Sequence, residues 1–315
     1  MVVLVTGANG QLGQAIQSIS GKYPDSSQYS EQAQQIDFVF CSSSELDITN
    51  LENCQTVFST YQPHFCINAA AYTAVDKAES EPANAFNINA NGAENLAITS
   101  KKHNTILIHI STDFVFDAYF LDGIAYYDRE FRLPLKSNLG LLETDVPFPS
   151  GIYGLTKLQG EQAIQATWEK HFIIRTSWVY SQFRNNFLKT MLRLAKERDT
   201  ISVVNDQIGT PTNAVDLAEV LIKIIESCHA ELVSASNYGI YNFSNEGVCS
   251  WYDFAKEIFN QNKISITLNP IPTTAYPTPA KRPAFSVLDK SKIKNIFGIE
   301  IKTWEESLSS CLNQM

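Results

Sequence analysis

Charge is scarce in this sequence, and what there is leans acidic. Only 18% of its 315 residues are charged, and 33 acidic against 24 basic side chains leave a formal net charge of −9. That balance lacks the basic footprint on which nucleic acid or an anionic membrane surface depends, so neither is expected as a partner. An anionic ligand would need a local basic pocket set against this background. The six cysteines include no CxxC pair, and the five histidines have no ligand spacing. Free thiols in a reducing compartment are therefore expected rather than a disulfide framework, and no metal site is expected. No apolar run reaches the ~20 residues of a membrane-spanning helix. The N-terminus has no cationic segment ahead of its first apolar run, so it does not read as a signal peptide, and the cytoplasm is the expected location. What is present, 44% hydrophobic and 11% aromatic residues, describes a globular chain with a real core. Its length allows one large domain or two modest ones.

Residues 2–6 (VVLVT) are apolar on both faces, as a buried parallel strand requires. A glycine turn and a helix from Gln11 follow. Further strands are expected at 36–40, 65–71, 105–111 and 172–177, with a helix over 84–100. This alternation predicts an α/β fold, a Rossmann-type doubly wound parallel sheet. Beyond Tyr180 the rhythm changes. Residues 186–198, 215–227, 250–260 and 304–312 read as helices, 203–212 as a loop after a strand, and 240–244 as a return to the sheet. Pro270, Pro272, Pro277, Pro279 and Pro283 mark extended, irregular chain. The expected division is a nucleotide-binding domain of residues 1–180 plus 202–244, and a substrate-binding domain of residues 181–201 plus 245–315. Residues 118–142 and 228–237 read as loop additions, each either a lid or a passive surface loop.

Gly7, Gly10 and Gly13 lie between the first strand and the first helix, with Asn9, Gln11 and Leu12 among them. That context separates a dinucleotide site from a chance match. The first glycine permits the tight turn, the second lets the backbone approach phosphate oxygens, and the third lets helix pack on strand. The helix N-terminus then offers free N–H groups to an anion. A carboxylate at the end of the second strand would bind an adenosine 2′-hydroxyl. Here Phe40 and Cys41 run into Ser42, Ser43 and Ser44, with no acid and no arginine. Small hydroxyls tolerate a 2′-phosphate, which favours NADPH, with NADH as the other donor.

Tyr153 and Lys157 supply an acid–base candidate. A tyrosine at its ordinary pKa of about 10 is a poor proton donor at neutral pH. A lysine one helical turn on stabilises the phenolate and can hold a nicotinamide ribose. With 13 tyrosines, a chance YxxxK is expected, and Tyr252 with Lys256 is a second one. Tyr153 lies beside the crevice outside the sheet's carboxyl ends and is preferred, while Tyr252 is assigned to packing. Thr112, or Ser111 in second place, ends a parallel strand in the same crevice and can polarise a carbonyl. Strand-end capping is the other reading of both hydroxyls.

These residues resemble the dTDP-4-dehydrorhamnose reductase family of extended short-chain dehydrogenases/reductases. The resemblance runs through residues 68–79, 111–116, 153–157, 175–180, 185–187, 206–212 and 282–286. It implies NAD(P)H-dependent reduction of the 4-keto group of a dTDP-linked 6-deoxysugar, a small-molecule nucleotide sugar. It implies that Thr112, Tyr153 and Lys157 are catalytic, that Thr73, Val75, Asp113 and Trp178 line the sugar site, and that Ala70 and Ala71 face the cofactor. Asp47 and Ile48 resemble the superfamily's adenine-contacting pair; a helix-capping aspartate is the alternative. Trp178 offers a flat face for a deoxysugar or is a core residue. Arg282 pairs with a diphosphate or with a surface carboxylate. Phe114 stands where relatives carry a tyrosine. Ala15 stands where some relatives place a glutamate that binds a dimer-bridging magnesium, so no structural metal is expected, and a homodimer is left open. Two other readings stand: a reductase of another nucleotide-4-ketosugar, or a non-catalytic NADP-binding regulatory protein of the same fold.

Overall fold

In the computed structural model, which describes residues 1–21, 36–117, 119–121, 124–126, 140–229 and 237–315, the apolar runs assemble into one parallel sheet. The first half contains β1 (Val2–Thr6), α1 (Gln11–Ser20), β2 (Asp37–Cys41), α2 (Leu51–Tyr61), β3 (Phe65–Asn68) and α3 (Val75–Ala78). Then come α4 (Pro82–Phe86), α5 (Gly92–His103), β4 (Ile106–Thr112), the hairpin β5 (Tyr119–Leu121) and β6 (Ile124–Tyr126), α6 (Ile152–Thr167) and β7 (His171–Thr176). The second half adds β8 (Val179–Tyr180), α7 (Phe187–Glu197), β9 (Thr200–Val204), β10 (Ile208–Gly209), β11 (Thr212–Asn213) and α8 (Ala214–His229). It closes with β12 (Gly239–Asn242), β13 (Cys249–Ser250), α9 (Trp251–Gln261), β14 (Thr267–Ile271), α10 (Ser291–Phe297) and α11 (Trp304–Leu312).

The main sheet runs β2-β1-β3-β4-β7-β12, parallel throughout. Alternate side chains of each strand feed opposite layers. Val3, Val5, Ile67, Ile108 and Ile174 pack on α1, α8 and α10, whereas Leu4, Cys66, Leu107 and Ile173 pack on α2, α5 and α6. The strand order reverses at β1, so the chain leaves β1 and β3 in opposite directions and opens a crevice at their carboxyl ends.

Several expectations need correction. The helix over 84–100 is α4 and α5 joined by a π turn, Asn87–Asn91. That wider turn carries Asn89, which bonds the backbone of Tyr72 and the Thr156 hydroxyl. The strand over 65–71 stops at Asn68, leaving Ala69, Ala70 and Ala71 free of the ladder. Residues 203–212 are no simple loop, because β10 and β11 pair with β13 and β8. Pro270 lies within β14, in parallel register with β9; a two-stranded ribbon leaves an open edge where a proline needs no donor. Residue 228 belongs to α8, and 230–236, like most of 118–142, lie outside the described residues. The expected boundary at residue 202 falls inside β9, and Ile293 and Phe297 of α10 pack under the main sheet. A separate apolar cluster joins α7, β9, α9 and α11. Ala15 is buried in the main core. No helix among the described residues is long and apolar enough to cross a membrane.

One buried ion pair fastens α6 to the sheet. Glu161 accepts from Arg175 Nη2 at 2.6 Å and from Nε at 3.0 Å, and both side chains are at most 1% exposed. The guanidinium also lies over the Phe116 ring, 5.0 Å from its centroid. Removing one partner strands the other charge in an apolar interior. Glu161→Ala should lower unfolding stability by about 3–5 kcal/mol; an unchanged urea midpoint would show that water reaches Arg175.

Candidate active site

The glycine turn is built by close approach. Gly7 has φ +65°, and a side chain there would come within 2.7 Å of Ala70 N. A Cβ on Gly13 would meet Gly7 O at 2.5 Å, so Gly13 packs beneath the turn and lines neither cavity described below. Gly10 differs: its Cβ direction meets only Gly7 O, at 3.2 Å. It caps α1 without a side-chain hydrogen bond, and the first turn carries no acid. The leading N–H groups of α1 are therefore left for an anion, and the open side at Gly10 admits one.

Two adjoining cavities spread from this turn. The one of about 440 Å³ is lined by Gly7, Asn9, Ser43, Asp47 and Ile48. The one of about 860 Å³ is lined by Gln11, Leu12, Thr73, Val75, Thr112, Asp113, Tyr153, Lys157, Trp178 and Arg282. Gly10, Ala70, Ala71 and Arg184 line both. A third cavity, of about 290 Å³, lies elsewhere, beside the paired charges of Asp216 and Lys302. Asp47 is not the α2 cap, a role taken by Asn50; its carboxylate accepts from Thr49 N and Oγ1. At the end of β2 one acid stands just past the serine run. Glu45 folds back onto Ser42 N and Oγ, both at 2.7 Å, and lines neither cavity. Gln11 is held by Ser181 and Asn186 through its amide oxygen.

The geometry separates the two candidate hydroxyls. Ser111 also borders the large cavity, but its Oγ donates to the buried Glu161 at 2.5 Å. Thr112 lines the large cavity; its Oγ1 donates to Asp113 Oδ1 at 3.0 Å and accepts from Phe114 N. Burial pushes the Asp113 carboxyl up to about 6, with the neighbouring Ser286 and Thr112 hydroxyls pulling it down. Tyr153 stands half-buried in the first turn of α6, whose N-terminus is tied by Ile152 N donating to Glu79 Oε1 at 2.8 Å. The Phe114 ring meets Tyr153 edge-on at 5.5 Å. Desolvation pushes the Tyr153 phenol up to about 12, with the nearby Thr112 hydroxyl pulling it down and the Asp113 charge adding to the rise.

Lys157 departs from expectation. No hydrogen bond joins it to Tyr153; its amine bonds to Ile110 O at 2.7 Å and His109 Nε2 at 3.1 Å. Burial lowers the amine to about 8, with Glu161 pulling the other way. Trp178 is not an open platform either, since Trp251 stacks on it with ring centroids 3.7 Å apart. Arg282 lines the cavity but is engaged by Asp76 at 2.8 Å and by Thr278. Tyr252 packs against the α7–α9–α11 cluster as expected.

Sequence reasoning missed His109 and Arg184. A histidine inside the apolar run TILIHIS was the available signal for the first. Arg184 carried none, because only the fold brings it to both cavities. It is exposed, has φ +53°, and none of the described residues pairs with it.

A family model described as the RmlD substrate binding domain matches residues 1–315. The chain belongs to the dTDP-4-dehydrorhamnose reductase family. It is 42% identical to the dTDP-4-dehydrorhamnose reductase of Aggregatibacter actinomycetemcomitans, over 98% of this chain and 97% of that one. Identity to the enzyme of Escherichia coli K12 is 40%, over 85% of each. A crystal structure of the family's Bacillus anthracis member in complex with NADP superposes with a TM-score of 0.84 at 37% identity, covering 100% of this chain and 99% of that chain. In this chain Tyr153 and Lys157 share one crevice with the glycine turn.

Proposed function

We propose that this chain reduces the 4-keto group of dTDP-4-dehydro-6-deoxy-L-mannose to give dTDP-L-rhamnose, using NADPH, with NADH as a second donor. The reading rests on Thr112, Tyr153 and Lys157 lining one cavity with the glycine turn, in a chain that matches the reductases along its whole length. Bound in this channel, NADPH supplies the hydride. Gly7, Asn9, Gly10, Gln11 and Leu12 would hold its pyrophosphate through the turn and helix terminus, with Gly13 supporting the turn from beneath, Asp47 and Ile48 would hold its adenosine, and Ala70, Ala71 and Lys157 its nicotinamide half. Arg184 would close on the pyrophosphate from outside. The serines at the end of β2 leave room for a 2′-phosphate.

Tyr153 keeps its proton at neutral pH and gives it to the sugar oxygen as that oxygen gains negative charge. Thr112 turns its hydroxyl from Asp113 to the same oxygen. The Lys157 ammonium, one turn away, stabilises the phenolate left behind. Thr73, Val75, Asp113 and Trp178 bound the sugar, Trp178 through the ring face or edge that Trp251 leaves open, and Arg282 exchanges Asp76 for the nucleotide diphosphate. We assign the main sheet with α1–α6, α8 and α10 to nucleotide binding, and the α7–β9–α9–β14–α11 unit to the substrate. The enzyme works in the cytoplasm on a small nucleotide sugar, as a monomer or homodimer.

Purified protein should oxidise NADPH only when the dTDP-linked 4-keto-6-deoxy-L-sugar is supplied, and NMR of the product should give the C4 configuration of rhamnose. Tyr153→Phe should lower turnover by at least ~100-fold; full activity in that variant would sink the role of Tyr153.

The lysine sets a pH limit. Its folded pKa of about 8 means that the ammonium is lost as pH rises through that value. Activity should hold below it and fall above it; a profile still flat well above pH 8 would remove Lys157 from the mechanism. Arg184→Ala should weaken NADPH binding about tenfold, the scale of one charge-assisted contact, and an unchanged Kd by fluorescence titration would refute the clamp.

A further inference from the structure

Thr6, Asn68 and His109 stand at one level of three neighbouring strands: Thr6 is in register with Asn68, and Asn68 with His109. Their side chains form a continuous line ending on Lys157. Thr6 Oγ1 lies 2.8 Å from Asn68 Oδ1, Asn68 Nδ2 lies 2.9 Å from His109 Nδ1, and His109 Nε2 lies 3.1 Å from Lys157 Nζ. All four residues are at most 2% exposed. The reaction described above uses Lys157 but none of the three behind it.

Hydrogen-bond bookkeeping restricts this line. Burial, Lys157 and His171 hold the His109 pKa well below the ordinary histidine range, so the ring is neutral. A neutral imidazole has one N–H and one lone pair, whereas an ammonium can only donate. If Lys157 is charged, Nε2 must be the lone pair, Nδ1 carries the proton, and Asn68 must turn its carbonyl oxygen to the ring. If Lys157 is neutral, its N–H groups can serve Ile110 O while its freed lone pair accepts from Nε2–H, and Asn68 then presents its NH₂ to Nδ1. The amide keeps its shape when its oxygen and nitrogen exchange places, and the Thr6 hydroxyl can donate or accept. Ala70 N lies 3.2 Å from both Thr6 Oγ1 and Asn68 Oδ1, so it keeps an acceptor either way. The orientation with Asn68 Oδ1 towards Thr6 is the one that fits the neutral amine.

We propose that His109 is a positioning residue that ties the charge of Lys157 to its own tautomer and to the orientation of the Asn68 amide. The role rests on the reading of Lys157 given above. Other titratable groups around the lysine do not supply this link. Tyr153 and Glu161 lie one turn to either side on α6, and Glu161 is neutralised by Arg175 of β7. Asp113 faces Tyr153, His171 acts on His109, and β1 and β3 contribute only the uncharged Thr6 and Asn68. At its far end the line reaches Ala70 N, against which Gly7 packs and which borders both cavities. The lysine's charge is thereby linked to the floor of the glycine turn.

Nitrogen-15 NMR of the histidines in the free protein reads the tautomer directly, without turnover. The expected result is Nδ1–H at neutral pH, changing to Nε2–H as pH rises through the lysine's titration, with no such change in Lys157→Met. A His109 tautomer indifferent both to pH and to Lys157→Met would overturn the proposal. Two variants give an independent kinetic test. His109→Asn reaches Asn68 but not Lys157, whereas His109→Gln can still offer Lys157 an acceptor. With the acceptor gone the ammonium is less favoured, so His109→Asn should lose about tenfold in kcat/KM and move its basic limb to lower pH. His109→Gln should stay within about threefold of the parent and keep that limb. A superimposable pH profile for a folded His109→Asn protein also counts against the proposal; if that variant does not fold, the tautomer in the parent protein decides. Wild-type turnover by Lys157→Met would instead remove the catalytic reading of Lys157 and leave the NMR coupling to be judged separately.

Discussion

The strand order reverses at β1, and the site depends on that reversal. Because β2 and β3 flank β1 on opposite sides, their connections diverge and leave the carboxyl ends of the sheet uncovered. The glycine turn after β1, the alanines after β3, Thr112 at the end of β4 and Trp178 just after β7 all meet there. The close contact of Gly7 with Ala70 keeps the two central strand ends together. A side chain at Gly7 would separate them and disturb both cavities at once.

Two polar lines cross the otherwise apolar layer between the sheet and α6. One runs from Ser111 through Glu161 to Arg175, the other from Thr6 through Asn68 and His109 to Lys157. Buried groups of this kind are costly unless fully paired, so each line restricts how α6 can sit. The first holds the helix against β4 and β7 and engages the Ser111 hydroxyl at the edge of the large cavity. The second holds the amine that the chemistry uses. Thr112 and Ser111 are adjacent in sequence and face different layers because side chains alternate along a strand.

Much of the fold was legible because short apolar runs and helical periodicity are local signals. The core strands β1, β4, β7 and β12 and helices α7, α9 and α11 lie within a residue or two of where the sequence pattern puts them. The π turn at Asn87–Asn91 was not legible, since an inserted residue in a helix leaves no periodic signature of its own. Pro270 suggested irregular chain, and only its pairing with β9 made it a strand. The family assignment rests on motifs in order along the chain, and the full-length match agrees with it.

Residue order alone determined the parallel α/β architecture, the glycine turn and the choice of Thr112, Tyr153 and Lys157 as candidates. These follow from local spacing and from which side chains can carry charge or protons. Tertiary structure decided what each group touches: Ser111 tied to Glu161, Trp178 stacked on Trp251, Arg282 held by Asp76, Lys157 turned to His109. Such contacts join residues tens or hundreds of positions apart, and no spacing rule reports them. Folding also brought Arg184, a positive charge paired with none of the described residues, to the junction of two cavities beside the glycine turn.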